Sequence, residues 1–197
     1  MAAVVFDDIL LQGVRAGQIP AKTRKARTWY RMKAKELGTK TTQTSLVSDS
    51  ERLRGRILPG TMVFYVYDAK GIKTLPYYDR FPLAIIVGPA EKGFYGLNLH
   101  YLPNTLRAKL LDALIENTTN TKYDESTRFE ISYKMLMQAS KTKYFAPCFK
   151  HYLTQHVKSR LARVSAPEWE IATFLPTASW SGANSSQIYR DSRNKIK

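Results

Sequence analysis

The residues of this chain with most scope for chemistry fall in two short words. Tyr77, Tyr78, Asp79 and Arg80 stand together, and Asn98, His100 and Tyr101 follow in the next apolar stretches. A carboxylate, a guanidinium and an imidazole are the parts from which an RNA-cleaving site can be built, so Asp79, Arg80 and His100 are candidates for acid–base work. Buried, the same groups would pair with one another and pin loops, because buried polar atoms must find partners. That structural reading is preferred. No Walker A loop, GxGxxG, HExxH or paired CxxC occurs, so nucleotide hydrolysis, dinucleotide binding and a zinc site have no motif behind them. His100, His151 and His156 lack cysteine or carboxylate neighbours at ligand spacing, and neither a metal nor another cofactor is expected. The single cysteine, Cys148, lies among apolar residues and reads as a small buried thiol in a protein of a reducing compartment.

A different chemistry is written in the charge. The 197 residues hold 31 Lys and Arg against 16 Asp and Glu, a formal net charge of +15, which favours polyanions as partners. The excess is uneven, at +7 over residues 1–58, +1 over 59–116 and +7 over 117–197. The densest stretch places Lys22, Arg24, Lys25, Arg27, Arg31, Lys33 and Lys35 around Trp29 and Tyr30. Cations interleaved with aromatic rings can hold phosphates while stacking against bases. Lys150, Lys158 and Arg160 mark a second candidate basic face. The candidate nucleic-acid-binding set is therefore Lys22, Arg24, Lys25, Arg27, Trp29, Arg31, Lys33, Lys35, Lys150, Lys158 and Arg160, with no catalytic or metal-binding residue assigned.

Three apolar runs between Pro59 and Pro103 must carry the scaffold. Met62 to Tyr67, Leu83 to Val87 and Phe94 to Leu102 are rich in β-branched and aromatic residues, with turn signals at Asp68 to Gly71 and a stop at Gly88 and Pro89. They predict an α+β fold, built on a small SH3-like β-barrel or a twisted antiparallel sheet packed with helices, with basic N- and C-terminal extensions. Helices are expected over residues 2–11, from Arg27 to Leu37 with Gly38 as the stop, after Asn104, over Tyr133 to Ser140, and from Pro147 to Val157. Strands are expected near Phe129 and Ile131, from Arg160 to Val164 and from Trp169 to Leu175. Residues 13–20, 41–50 and 117–127 read as loops. The domain reading is a basic N-terminal arm over 1–58, a core over 59–178 and a tail over 179–197, the tail ordered only against a partner. Nothing approaches the about 18 apolar residues of a membrane span, and no membrane partner is expected.

The words LPYYDRFPLAII (residues 75–86), GFYGLNLHYLP (93–103) and EWEIATFLP (168–176) resemble a protein of T4-like tailed bacteriophages, from about Trp29 to Tyr189. Members of that family are described as DNA end protectors. The resemblance implies a non-enzymatic virion protein, assembled in the host cytoplasm, that contacts double-stranded DNA at genome termini in the head or neck. It assigns no catalytic residue. Other virion proteins would be partners, and an oligomer within the particle is compatible with the role. The alternatives are a neck or baseplate assembly protein at the head–tail connection, whose basic arms bind neighbouring subunits, and the RNA-cleaving barrel built on Asp79, Arg80 and His100.

Overall fold

The computed structural model describes residues 2–18, 23–38, 43–56, 58–118 and 125–195. Six antiparallel strands form one sheet: β1 (Leu53–Arg54), β2 (Met62–Phe64), β4 (Leu83–Ala90), β5 (Gly93–Asn98), β6 (Phe149–Leu153) and β7 (Leu161–Val164). Their spatial order is β1-β7-β2-β4-β5-β6, and the sheet is open. Of the two architectures expected, the antiparallel sheet packed with helices is the one formed; no pairing of β1 with β6 closes a barrel. A two-stranded ribbon joins β3 (Tyr78–Asp79) to β8 (Trp180–Ser181).

Alternation along the strands divides the apolar side chains between two faces, since successive residues point to opposite sides. Met62, Phe64, Leu83, Ile85, Leu97, Ala162 and Val164 face the main core. Val63, Tyr65, Ala84, Ile86, Phe94, Tyr152 and Leu161 face a smaller cluster to which no described helix contributes. Helices cover the first face: α1 (Ala2–Arg15), α2 (Arg24–Leu37), α3 (Gln43–Ser48), α4 (Asn104–Thr118), α5 (Glu125–Lys141), α6 (Trp169–Phe174) and α7 (Ser185–Asn194). Of the residues at helical spacing in α4, Leu106, Leu110, Leu111, Leu114 and Ile115, all but the half-buried Leu106 are buried there.

Several segments depart from expectation, each for a physical reason. Where a separate N-terminal arm was expected, α1, α2 and α3 pack on the body: Phe6, Ile9, Tyr30, Ala34 and Leu46 share the main core with the sheet. α1 continues through Gly13, where a Cβ would collide with the Tyr30 hydroxyl, so this glycine permits close approach of α1 and α2 and is not a connector. β4 runs past Pro89 to Ala90 because a bulge between Ile86 and Gly88 absorbs the irregularity. α5 takes in Phe129 and Ile131, which were expected in a strand. The stretch from Pro147 to Val157 is not a helix but β6 between single 3-10 turns, and Lys150 and Tyr152 pair with Gly96 and Phe94 of β5. Trp169–Phe174 is helical, since the capping box of Ser165 and Glu168 starts a turn just before it. The C-terminal segment is ordered within the chain: Ile188 of α7 is fully buried in the main core.

Candidate nucleic-acid interface

α2 was expected to present its cations to a polyanion, and its own packing divides them. Thr23 caps the helix through Ala26 N, and Ala26, Tyr30 and Ala34 form the buried stripe. Arg27 and Arg31 lie one turn apart beside that stripe and point inward. The Arg31 guanidinium grips Glu170 of α6 through Nε–Oε2 at 2.7 Å and Nη2–Oε1 at 3.0 Å, and reaches Asp112 of α4 at 2.6 Å. Arg27 Nε lies 3.1 Å from the same Asp112 oxygen, and Arg27 is only 8% exposed. Burial outweighs the pairing at Glu170 and pushes its carboxyl above the ordinary range despite the bidentate hold. These two arginines therefore fasten α2 to α4 and α6 and are not open to phosphates. Lys33 is held by Glu36 at 2.6 Å, with its ammonium also 5.9 Å from the centroid of the Trp29 ring. Arg24, Lys25 and Lys35 are exposed and make no ion pair among the described residues. Arg24, Lys25, Trp29 and the 54% exposed Met32 border a shallow hollow of about 440 Å³. Lys22 lies outside the described residues.

The second basic face lies on the other side of the sheet, so α2 and the Lys158 region are not brought together. Arg163 stands opposite Val63 in the β2–β7 register, on the face without helices, and Arg54 pairs with Leu161 on that same face. Arg54, Arg56 and Arg163 surround a hollow of about 420 Å³ beside Val63. Farther along β2, Arg80 and Lys158 border a hollow of about 410 Å³ with Tyr67 and Tyr78. Arg160 is exposed between these two groups in sequence. Arg52, by contrast, is spent on structure, with paired hydrogen bonds of 2.8 and 2.6 Å to Glu168. Around the buried cluster on this side stand exposed guanidinium and ammonium groups with tyrosines between them, an arrangement suited to a phosphate backbone.

The acid–base candidates have another use. Asp79 and His100 are buried, with His100 Nδ1 2.7 Å from Asp79 Oδ2 and His100 Nε2 3.2 Å from Thr177 Oγ1. Asp79 also accepts from Asn98 Nδ2 at 3.0 Å, Phe81 N at 3.0 Å and Ser179 N at 3.2 Å. Arg80 points away, into the hollow shared with Lys158. The three do not face a common substrate space, so Asp79, Arg80 and His100 do not form the acid–base site expected of an RNA-cleaving barrel. Cys148 is buried, and burial pushes its thiol up to about 12.

A family model described as phage T4 terminal DNA protecting protein matches residues 8–193. The chain belongs to this family. No curated protein and no solved structure matches the chain. The match runs from α1 into α7, and so includes both the helix layer and the six-stranded sheet. No helix among the described residues is long and apolar enough to cross a membrane.

Arg54, Arg56, Arg80 and Arg163, which line the two basic hollows, are not among the candidate nucleic-acid-binding residues of the sequence. Arg163 carried a usable signal, since it sits between Ala162 and Val164 in a strand whose alternate residues are apolar. Arg54 and Arg56 were visible as charge but without a strand to assign them a face.

Proposed function

We propose that this protein is a non-enzymatic virion component that binds double-stranded DNA at the ends of the phage genome, in the head or neck. The observation that carries the proposal is the pair of cation-lined hollows, one at Arg54, Arg56 and Arg163 and one at Arg80 and Lys158, in a family named for protecting terminal DNA. Phosphate contacts from Arg54, Arg56, Arg163, Arg80, Lys158 and Arg160 would position the duplex without reading its sequence. Each phosphate neutralised releases counterions, so affinity falls with salt at a log–log slope of about 0.9 per contact. The test is the affinity of the full chain for linear duplex across a salt series, with exonuclease digestion of the same DNA as the measure of protection. Arg163→Ala and Lys158→Ala are each expected to lower the slope by about 1. Salt-independent binding, or ends digested at the same rate with and without protein, would reject the proposal.

A second reading concerns neighbouring virion subunits and rests on the hollow at the start of α2. Exposed Met32 and half-buried Trp29 beside Arg24 and Lys25 offer an apolar surface with a basic rim, as protein interfaces do. Loss of particle assembly in Met32→Asp, with DNA affinity retained, would support that second role for this helix.

A further inference from the structure

At the end of the basic face, beyond Arg80 and Lys158, the sheet edge and the loop before β3 enclose a hollow of about 370 Å³. It shares Tyr67 and Tyr78 with the hollow bordered by Arg80 and Lys158, so the two adjoin. Three lysines line it, Lys70 of the loop, Lys150 of β6 and Lys195 after α7. Its aromatic walls are Tyr67, Tyr77 and Tyr101. Tyr101 is fixed from behind by Trp180, edge to face at 4.8 Å between ring centroids. The carboxylates nearby are already engaged: Asp79 by the four donors described above, Asp191 beside the Tyr77 hydroxyl, and Asp68 by the Tyr78 hydroxyl at 3.3 Å.

Lys150 is the informative residue. Its ammonium lies 3.9 Å from the centroid of the Tyr101 ring, and no carboxylate among the described residues pairs with it. Burial, then the neighbouring Lys195, bring its pKa down to about 8, the mark of a cation short of solvent and of counter-charge. Such a group gains more from an arriving anion than a solvated lysine does.

We infer that this hollow binds the terminal nucleotide of a DNA strand, with its phosphomonoester against Lys70, Lys150 and Lys195 and its base against Tyr77, the half-buried ring of the tyrosine wall. The inference rests on the DNA-end reading above and gives it an atomic site. The volume falls in the range of roughly 300–1,000 Å³ of small-molecule sites; a duplex cannot enter it, whereas one unpaired end nucleotide can. A terminal phosphate carries about −1.5 to −2 charge at neutral pH, against a single charge on each internal phosphate, and three clustered lysines favour the former. A tyrosine face such as that of Tyr77 accepts any base by stacking, so the site would be indifferent to terminal sequence.

The test uses the full chain and four DNAs of one sequence: linear duplex with 5′-phosphates, with 3′-phosphates, with hydroxyls at both ends, and a covalently closed circle. One of the two phosphorylated ends is expected to bind at least about tenfold tighter than the hydroxyl end, the worth of one charge-assisted contact, which also assigns the strand polarity. Lys150→Met, which keeps the aliphatic stem over Tyr101, and Lys195→Ala, at the exposed end of the chain, are each expected to bring that ratio to about one. Equal affinity for all four DNAs, or a preference that survives in both variants, overturns the inference while leaving DNA contact intact. Absence of salt-dependent affinity for any of them overturns both.

Discussion

Replacement of Arg31 by methionine separates the structural cations of α2 from those free to meet a partner. Arg31 is the bidentate partner of Glu170, whose side chain is 2% exposed, and it also holds Asp112. Removing one member of a buried pair leaves the other as an uncompensated charge, at a cost of about 3–5 kcal/mol; the partial exposure of Arg31 argues for the lower end. In a domain of this size each kcal/mol is worth about 2–4 °C in Tm, so a fall of at least about 6 °C is expected. Lys25→Ala, on the exposed side of the same helix, should stay within about 0.5 kcal/mol. The pH dependence sharpens the test. The Glu170 carboxyl already lies above its ordinary range, and without Arg31 it lies higher still, so the folded variant binds a proton that the unfolded chain releases. The deficit of Arg31→Met should therefore shrink as pH falls from 8 towards 5. Arg31→Met combined with Glu170→Leu should recover most of the loss, since the buried charge goes with its partner. Urea denaturation at the two pH values measures all three. A deficit below about 1 kcal/mol at pH 8, or one that grows on acidification, would refute the account of α2 as an ion-paired structural helix.

Ile188→Ala in α7 should cost about 2–5 kcal/mol by cavity formation, measurable by thermal melting, because the C-terminal segment is part of the core. At Glu168 burial raises the carboxyl pKa, but hydrogen bonds from Arg52 and Ser165 outweigh it and hold the group below the ordinary range. Its stabilising share is fully present above about pH 4.3 and is lost as pH falls through the lowered folded value; Glu168→Gln should flatten this acid limb of the denaturation midpoint. Cys148, raised to about 12 and buried, should stay unreactive towards thiol reagents at pH 8 in the native protein and react only on unfolding.

The strands near the middle of the chain were legible because period-two alternation and β-branched residues coincide there, as in Met62–Phe64 and Leu83–Val87. α4 was legible because Leu106, Leu110, Leu111, Leu114 and Ile115 repeat at helical spacing. Lys150 and Tyr152 were assigned to a helix since residues 149, 152, 153 and 157 also fit a helical period; the pairing of β6 with β5 from more than fifty positions away decided the matter. The basic stretch of α2 was visible, but its division was not. Arg27 and Arg31 find Asp112, Glu116 and Glu170 only after α4 and α6 have docked, and no local pattern announces partners at separations of 81 and 139 residues. The hollow around Lys150 was hidden for the same reason: its lysines come from the loop after β2, from β6 and from the end of α7.

The hydrogen bonds that converge on Asp79 also constrain the order in which this protein becomes complete. Its donors come from residues 81, 98, 100 and 179, the last at a separation of 100 positions. Loop closure over such distances is a late and slow event in folding. A nascent chain that has not yet released Ser179 and Trp180 from the ribosome lacks one donor to Asp79 and the ring that braces Tyr101. The tyrosine wall therefore takes its final form only after residue 180 has been made, later than every strand of the six-stranded sheet.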